Sequence, residues 1–160
     1  MTGISRRQFL RGDFRGRKTA PLRPPWAREE SAFLAACTRC AACLGACPQR
    51  ILVADREARP VVDFSRGECT FCGKCVEACT PQALERQADR PAWRLVARIL
   101  ETCLTQSNVI CRACGDACSA QAFRFPPQAL AAARPEVMAE RCTGCGACFA
   151  PCPVKAIRLA

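Results

Sequence analysis

The chain of 160 residues contains no histidine and no tyrosine. Histidine is the side chain most often used in general acid–base catalysis, and the chain also lacks a glycine-rich phosphate-binding loop. It has no run of the roughly 20 apolar residues that a membrane-spanning helix needs. We therefore do not expect an enzyme, and we do not expect a membrane span.

The sequence is also short of residues for a hydrophobic core. Hydrophobic residues make up 50% of the chain, but 16 of the 160 residues are cysteine, which leaves about 40% for ordinary packing. Small chains with little core usually depend on bound metal or cross-links for stability. The cysteines are therefore expected to stabilise the fold as well as to hold redox centres.

The sixteen cysteines fall into four groups of four. Three groups have the spacing CxxCxxCxxxC: Cys37, Cys40, Cys43 and Cys47; Cys69, Cys72, Cys75 and Cys79; Cys142, Cys145, Cys148 and Cys152. The remaining group, Cys103, Cys111, Cys114 and Cys118, keeps the CxxCxxxC ending but has seven residues in its first gap. This spacing is typical of 4Fe-4S binding. The sequence therefore predicts four 4Fe-4S clusters with all sixteen cysteines as iron ligands.

The ligands of each cluster are expected to come from two groups. In two-cluster bacterial ferredoxins the last cysteine of each group binds the cluster of the other group. Applied to neighbouring groups, this rule predicts four ligand sets: site 1 with Cys37, Cys40, Cys43 and Cys79; site 2 with Cys47, Cys69, Cys72 and Cys75; site 3 with Cys103, Cys111, Cys114 and Cys152; site 4 with Cys118, Cys142, Cys145 and Cys148. An alternative pairs the middle two groups inside the outer two.

Three other uses of the cysteines compete with iron–sulfur binding. Disulfides are typical of small secreted chains, but no secretory signal precedes the first cysteine. Zinc sites usually pair two CxxC units across a longer loop, and a CxxCxxC run does not present four ligands tetrahedrally. Buried structural thiols are the third alternative. The spacing favours iron–sulfur clusters over all three.

The long first gap makes Cys103 the weakest match among the ligands. Cys103 must loop back across the six residues TQSNVI to reach its group, and Asn108 stands where an uninterrupted motif would have its first cysteine. An amide is a poor ligand for soft iron. Cys103 is therefore the predicted ligand, and the alternative is a labile site with three protein ligands.

The repeat of the groups predicts a tandem α+β fold. Each fourth cysteine is followed, four and five residues later, by two apolar residues that would begin a strand. A hairpin with strands near 51–54 and 60–64 is predicted after the first group. Residues 31–90 would form one two-cluster ferredoxin-like unit and residues 91–160 a second. Apolar residues at helical spacing predict a connecting helix over 89–104.

The charge is concentrated at the N-terminus. Residues 1–30 contain eight basic and three acidic side chains, which predicts a basic, flexible arm. A 2+ cluster held by four thiolates has a net charge of −2, so four clusters would lower the formal +10 of the whole chain to about +2. The high formal charge is therefore no argument for nucleic-acid binding.

Residues 5–11, SRRQFLR, come close to a twin-arginine export motif. An export signal needs roughly 7 to 15 apolar residues after that motif. Residues 12–30 instead contain five basic and three acidic side chains. The expectation is that the protein stays in the cytoplasm.

The details of the sequence resemble one family. SRR near the start, RPPWA at 23–27, Phe33, CTRC at 37–40 and four cysteine groups with a lengthened third are similar to the NapF family, ferredoxin-type accessory proteins of the bacterial periplasmic nitrate reductase system. The resemblance implies a cytoplasmic protein that binds the catalytic subunit of nitrate reductase before export. It also implies help in maturation of that subunit through iron–sulfur cluster loading.

Two functions follow as expectations. The first is maturation, for which the resemblance makes the segment from Arg6 to Trp26 the first candidate for partner contact; Trp26 could instead cover the first cluster. The alternative is a low-potential ferredoxin that supplies or accepts electrons in the nitrate reductase pathway. An electron carrier needs clusters and an acidic docking face, and residues 31–160 would be acidic once four clusters are bound. The basic arm and the irregular third group fit maturation slightly better.

Overall fold

The computed structural model describes residues 21–129 and 131–160. In these two ranges the elements are α1 (Glu30–Ala36), α2 (Ala42–Ala46), β1 (Leu52–Ala54), β2 (Pro60–Val62), α3 (Lys74–Glu77), β3 (Ala97–Ile99), a 3₁₀ helix (Leu104–Ser107), α4 (Ala113–Asp116), β4 (Phe123–Arg124), β5 (Glu136–Val137) and β6 (Ile157–Leu159). The predicted α+β class with two tandem units is confirmed. Elements this short are not stable in isolation, so packing must hold them.

The hairpin predicted after the first cysteine group is present. Strands β1 and β2 pair antiparallel with Leu52 opposite Val62 and Ala54 opposite Pro60. Asp55 closes the turn, because its Oδ1 accepts hydrogen bonds from the Glu57 and Arg59 amides at 2.8 and 2.9 Å. The Asp55 side chain therefore holds the backbone of the turn between β1 and β2.

The predicted connecting helix over 89–104 is wrong. Residues 97–99 instead form β3, which pairs antiparallel with β6 so that Ala97 faces Leu159 and Ile99 faces Ile157. Pro91 has no amide hydrogen and disfavours a helical residue before it, and the β-branched Val96 and Ile99 suit a strand. The apolar spacing reflected a strand with one buried face rather than a helix.

The first unit has a smaller version of the same pairing. Ala27 forms an isolated antiparallel bridge with Leu84, as β3 pairs with β6 in the second unit. In each unit the segment before the cysteine groups therefore pairs with the segment after them.

Each unit has its own core, and both cores contain cysteine. The first core is built around Phe33 and Ile51, with Cys43 and Cys75 buried among the apolar residues. The second is built around Ala97 and Ile157, with Cys114 and Cys148. Since the thiols are part of the cores, whatever they bind is part of the packing.

Residues 21–30, which the sequence assigned to the arm, pack on the body of the protein. The Val62 amide donates to the Leu22 carbonyl at 2.8 Å, and the Trp26 amide donates to the Ala92 carbonyl at 2.9 Å. Trp26 is only 7% exposed. Contacts with the body thus begin before residue 30. The expected flexibility of residues 1–20, with the SRRQFLR motif, lies outside the described residues.

Arg23 joins this segment to the rest of the first unit. Its guanidinium pairs with Asp55 at 3.1 Å and Glu30 at 2.9 Å and lies 4.8 Å from the centre of the Phe33 ring. The Arg23 side chain is only 10% exposed. Removing one partner of a pair that is mostly shielded from water leaves the other charge poorly compensated, which costs more than breaking a pair on the open surface.

Replacing Arg23 with alanine is expected to lower the free energy of unfolding by roughly 2 kcal/mol, because hydrogen bonds to charged groups contribute about that much. Arg66→Ala, which breaks an exposed pair with Asp63, is the matched control and should cost about 0.5 kcal/mol or less. Denaturant unfolding of the anaerobic holoprotein measures both. Equal losses in the two variants would contradict the role given to Arg23.

The same pair gives a pH dependence. Burial opposes ionisation of Asp55, but hydrogen bonds from the Arg59 and Glu57 amides and from Arg23 outweigh it and lower the pKa of this carboxyl. A lowered folded-state pKa stabilises the fold above the unfolded value of about 3.9, and this contribution is lost as the pH falls through the folded value. The difference between wild type and Arg23→Ala should therefore shrink below about pH 4.

Candidate iron-sulfur cluster sites

Site 1 is a cavity between the first and second cysteine groups. Its lining includes the four cysteines predicted for it, Cys37, Cys40, Cys43 and Cys79. The cavity has about 340 Å³ of empty space, part of it open to solvent, and Phe33 and Leu84 form apolar walls. Ala41 at the start of α2 has φ 60°, so the backbone turns sharply between Cys40 and Cys43.

Site 2 is a second cavity in the same unit. Its cavity, also about 340 Å³, is lined by Cys47, Cys69, Cys72 and Cys75, as predicted. Pro25 and Trp26 contribute to its wall. Trp26 therefore covers site 2. The sequence had suggested the first cluster instead, and that suggestion is wrong. A buried side chain in this position is not available for partner contact.

Site 3 contains the ligand that the sequence left least certain. Cys103 lines one cavity of about 360 Å³ together with Cys111, Cys114 and Cys152. The Cys103 Sγ lies 3.3 Å from the hydroxyl of Thr105, a residue that is only 3% exposed. The 3₁₀ helix directly after Cys103 takes up the extra residues, and so the long gap still brings Cys103 to its group.

Asn108 has a structural role instead. It has φ 59° where the 3₁₀ helix ends, a left-handed conformation that asparagine tolerates. Its Oδ1 accepts a hydrogen bond from the Ala132 amide at 2.6 Å. Asn108 therefore holds a turn and a backbone contact, as expected for a residue that is not a ligand. The labile site with three protein ligands stays the alternative to ligation by Cys103.

The segments that carry the cysteines predicted for site 4 are connected through backbone hydrogen bonds. The Ala122 amide donates to the Cys118 Sγ at 3.3 Å, while the Ala122 carbonyl accepts from the Met138 amide at 2.8 Å. The Met138 carbonyl in turn accepts from the Cys142 amide at 3.2 Å. This chain of bonds links Cys118 to the group that contains Cys142, Cys145 and Cys148.

The groups therefore come together as neighbours: first with second, and third with fourth. The described residues do not show the nested alternative, in which the middle two groups pair inside the outer two. That each of the sixteen cysteines binds iron stays a prediction.

Backbone amides point at the last cysteine of three groups. Leu84, Ala122 and Ala156 donate to the sulfurs of Cys79, Cys118 and Cys152 at 3.4, 3.3 and 3.2 Å. Such bonds favour the thiolate, the form that binds metal. The apolar residues at these positions were predicted to begin strands, but their amides were not predicted as donors to sulfur. The signal was the spacing of four or five residues after the last cysteine of the group.

Burial acts against the thiolate at the third cysteine of each group and at Cys69, the first cysteine of the second group. It raises the pKa of Cys75 and Cys148 to about 12 and that of Cys43, Cys69 and Cys114 to about 11. At neutral pH these thiols are protonated without metal. Metal binding must therefore displace a proton from each.

The cavities fit a cluster in their donor chemistry. At sites 1, 2 and 3 four sulfurs surround a space, and in residues 21–129 and 131–160 no three Cys, Asp or Glu side chains converge as ligands of a single ion. Thiolates that each bind a different iron of one cube need such a space between them. When bound, a 4Fe-4S cluster supplies one-electron redox chemistry. The chain supplies thiolates, apolar walls that limit water and amide donors to sulfur.

Comparison with known proteins identifies the family. Two family models, both described as 4Fe-4S dicluster domain, match residues 32–80 and 109–156. The ferredoxin-type protein NapF of Escherichia coli K12 is 42% identical over 153 residues, which cover 96% of this chain and 92% of that protein. NapF of Haemophilus influenzae is 44% identical over 165 residues, covering 98% and 93%. The chain belongs to the NapF family of ferredoxin-type proteins.

NapF membership establishes 4Fe-4S binding in general terms. The first match contains the first and second cysteine groups, and the second begins at residue 109, after Cys103. A further relative, the methylamine utilization ferredoxin-type protein MauM of Methylorubrum extorquens, is 34% identical over 150 residues, or 82% of this chain and 67% of that protein. In the part of the NapF-family chain that the structure describes, no helix has the length and apolar character for crossing a membrane.

Proposed function

We propose that this chain binds the catalytic subunit of periplasmic nitrate reductase in the cytoplasm and helps to load its iron–sulfur cluster before export. The observation that carries the proposal is the similarity to NapF proteins over nearly the whole chain. Four 4Fe-4S clusters, held by the four cysteine sets, are part of the same proposal.

The surface around site 3 supports a role in which the chain binds a partner protein. Ile110, next to Cys111, is 84% exposed, and Val109 and Val154 are 48% and 38% exposed. Val154 also lines the site 3 cavity. Exposed apolar side chains beside a cluster site are suited to a protein partner, which would cover them and shield the site from water.

The same site is the best candidate for release of a cluster as cargo. Its first ligand, Cys103, comes from a separate 3₁₀ segment rather than from a CxxCxxC run. A ligand on its own segment can move away without disturbing the other three. Site 3 thus combines an exposed apolar border with an independent ligand.

The test is an anaerobic transfer experiment. The holoprotein is incubated with the cluster-free, unexported catalytic subunit, the two chains are separated, and iron is counted on each. We expect a stable complex and iron on the partner. A full iron content that never leaves, with no complex and rapid reversible electron exchange, would reject maturation.

A matched pair of variants locates the contact. Ile110→Ser removes an exposed apolar side chain at site 3 and should weaken the complex about tenfold, as loss of a central interface contact does. Leu34→Ser removes a 37% exposed leucine from α1 in the first unit and should leave the affinity unchanged. Equal effects of the two variants would place the contact elsewhere.

Electron transfer is the second candidate function. It is favoured by a hydrogen bond between the two units at cysteines of sites 2 and 4, where the Cys69 amide donates to the Cys145 carbonyl at 2.8 Å. A row of neighbouring clusters is what an electron carrier needs. The transfer experiment separates the two candidates.

A further inference from the structure

The two units meet at their cysteine loops. The hydrogen bond from the Cys69 amide to the Cys145 carbonyl, 2.8 Å long, joins the second group directly to the fourth. Cys69 belongs to site 2 and Cys145 to site 4. The contact therefore joins one ligand loop to another, and each loop belongs to a different unit.

A glycine makes the contact possible. Gly146 follows Cys145 with φ +83°, and a Cβ at this position would lie 2.1 Å from the Cδ1 of Phe64. Phe64 is buried in the core of the first unit and packs edge-on against Trp93, with ring centres 5.7 Å apart. Any side chain at position 146 would push the fourth loop away from the first unit.

Within each unit the two sites are neighbours through a shared core. Cys43 of site 1 and Cys75 of site 2 lie in the first core, and α2 and α3, which carry them, pack together. Cys114 of site 3 and Cys148 of site 4 lie in the second core. Site 1 therefore adjoins site 2, and site 3 adjoins site 4.

We propose that the four sites form one row in the order 1, 2, 4, 3, with the Cys69–Cys145 contact as its central junction. The spatial order differs from the order of the groups along the chain. Sites 1 and 3 are the two ends, and the apolar surface of Ile110 lies at one of them. The proposal rests on the four clusters of the proposed function, but not on the choice between maturation and electron transfer, since a row of this order serves either.

Paramagnetic resonance of the reduced holoprotein tests the order. The first variant removes the clusters at sites 1 and 3, the two ends of the row, and leaves sites 2 and 4. It carries Cys40→Ala, Cys43→Ala, Cys111→Ala and Cys114→Ala. We expect its spectrum to be broadened by interaction between two neighbouring spins. Replacing Cys72, Cys75, Cys145 and Cys148 with alanine leaves sites 1 and 3, and its spectrum should be the sum of two isolated signals. Isolated signals in the first variant, or equal broadening in both, would overturn the row.

A second measurement works in a chain with all sixteen cysteines, in case the multiple variants do not fold. Gly146→Ala should break the junction, so exchange of the Cys69 amide with deuterium should become faster by about tenfold or more. Gly45→Ala is the matched control, because a Cβ there meets nothing within 4 Å. Mass spectrometry of a peptide that contains Cys69 measures the rate. Equal rates in the two variants would overturn the junction.

Discussion

Anaerobic removal of iron, with the thiols kept reduced, is expected to unfold the described fold. Without clusters, the cysteines that line sites 1 to 3 lose their bonds to iron, and a solvent-connected space takes the place of each cluster. Cys43, Cys75, Cys114 and Cys148 belong to the two cores, so the loss reaches the packing of both units. In small metal-dependent folds the free energy of metal binding is folding free energy, on the order of 10–16 kcal/mol for structural zinc sites. That is comparable to the total stability of a small domain, about 5–15 kcal/mol.

The helices and strands are too short to keep the chain folded once the clusters are removed. The longest described helix, α1, has seven residues, and the described strands have two or three. Circular dichroism and a thermal scan measure the effect, with holoprotein carried through the same handling without chelator as the control. We expect the cooperative transition to disappear. An iron-free chain that melts at the Tm of the holoprotein would show that the clusters do not hold the fold.

Replacing Cys103 with alanine is expected to remove the cluster of site 3. A 4Fe-4S cluster needs a ligand for each iron, and the Cys103 thiol is the one that reaches this cavity across the long gap. The iron content should fall by about four of the roughly sixteen irons that four clusters hold. A partial loss, to a three-iron cluster, would give a distinct resonance signal in the oxidised protein.

Asn108→Gly provides the control for Cys103→Ala. Glycine adopts the φ of 59° seen at Asn108 at no steric cost, and it removes the amide oxygen that accepts from Ala132. We expect its iron content to equal that of the wild type. If Asn108→Gly lost the iron and Cys103→Ala kept it, the ligand assignment at site 3 would be reversed.

The sequence allowed prediction of the parts that depend on short-range pattern. Cysteine spacing led to iron–sulfur binding and to tandem units, and two apolar stretches separated by a charged turn led to the β1–β2 hairpin. These succeed because a CxxCxxC loop and a hairpin are made almost entirely by residues close together in the chain. Prediction failed over 89–104, where the pairing of β3 with β6, 58 to 62 positions further along the chain, overrides the local helical spacing.

The position of Trp26 shows the same limit. RPPWA marked the segment as specific, but only packing shows that Trp26 lies over site 2, between Phe71 at 6.5 Å and the Arg86 guanidinium at 4.8 Å. A motif picks out residues that have a specific role. It does not say whether that role is contact with a partner or packing in the core of the same molecule.

The sequence by itself determined the chemistry of this protein, because thiolates at fixed spacing bind iron wherever the rest of the chain lies. Only the tertiary structure decided how the sites are placed. It brought Cys103 to its cavity through a 3₁₀ helix, and it joined site 2 to site 4 through Cys69 and Cys145, 76 positions apart. Contacts of that range depend on the packing of whole units, such as Gly146 against Phe64, and no local pattern records them.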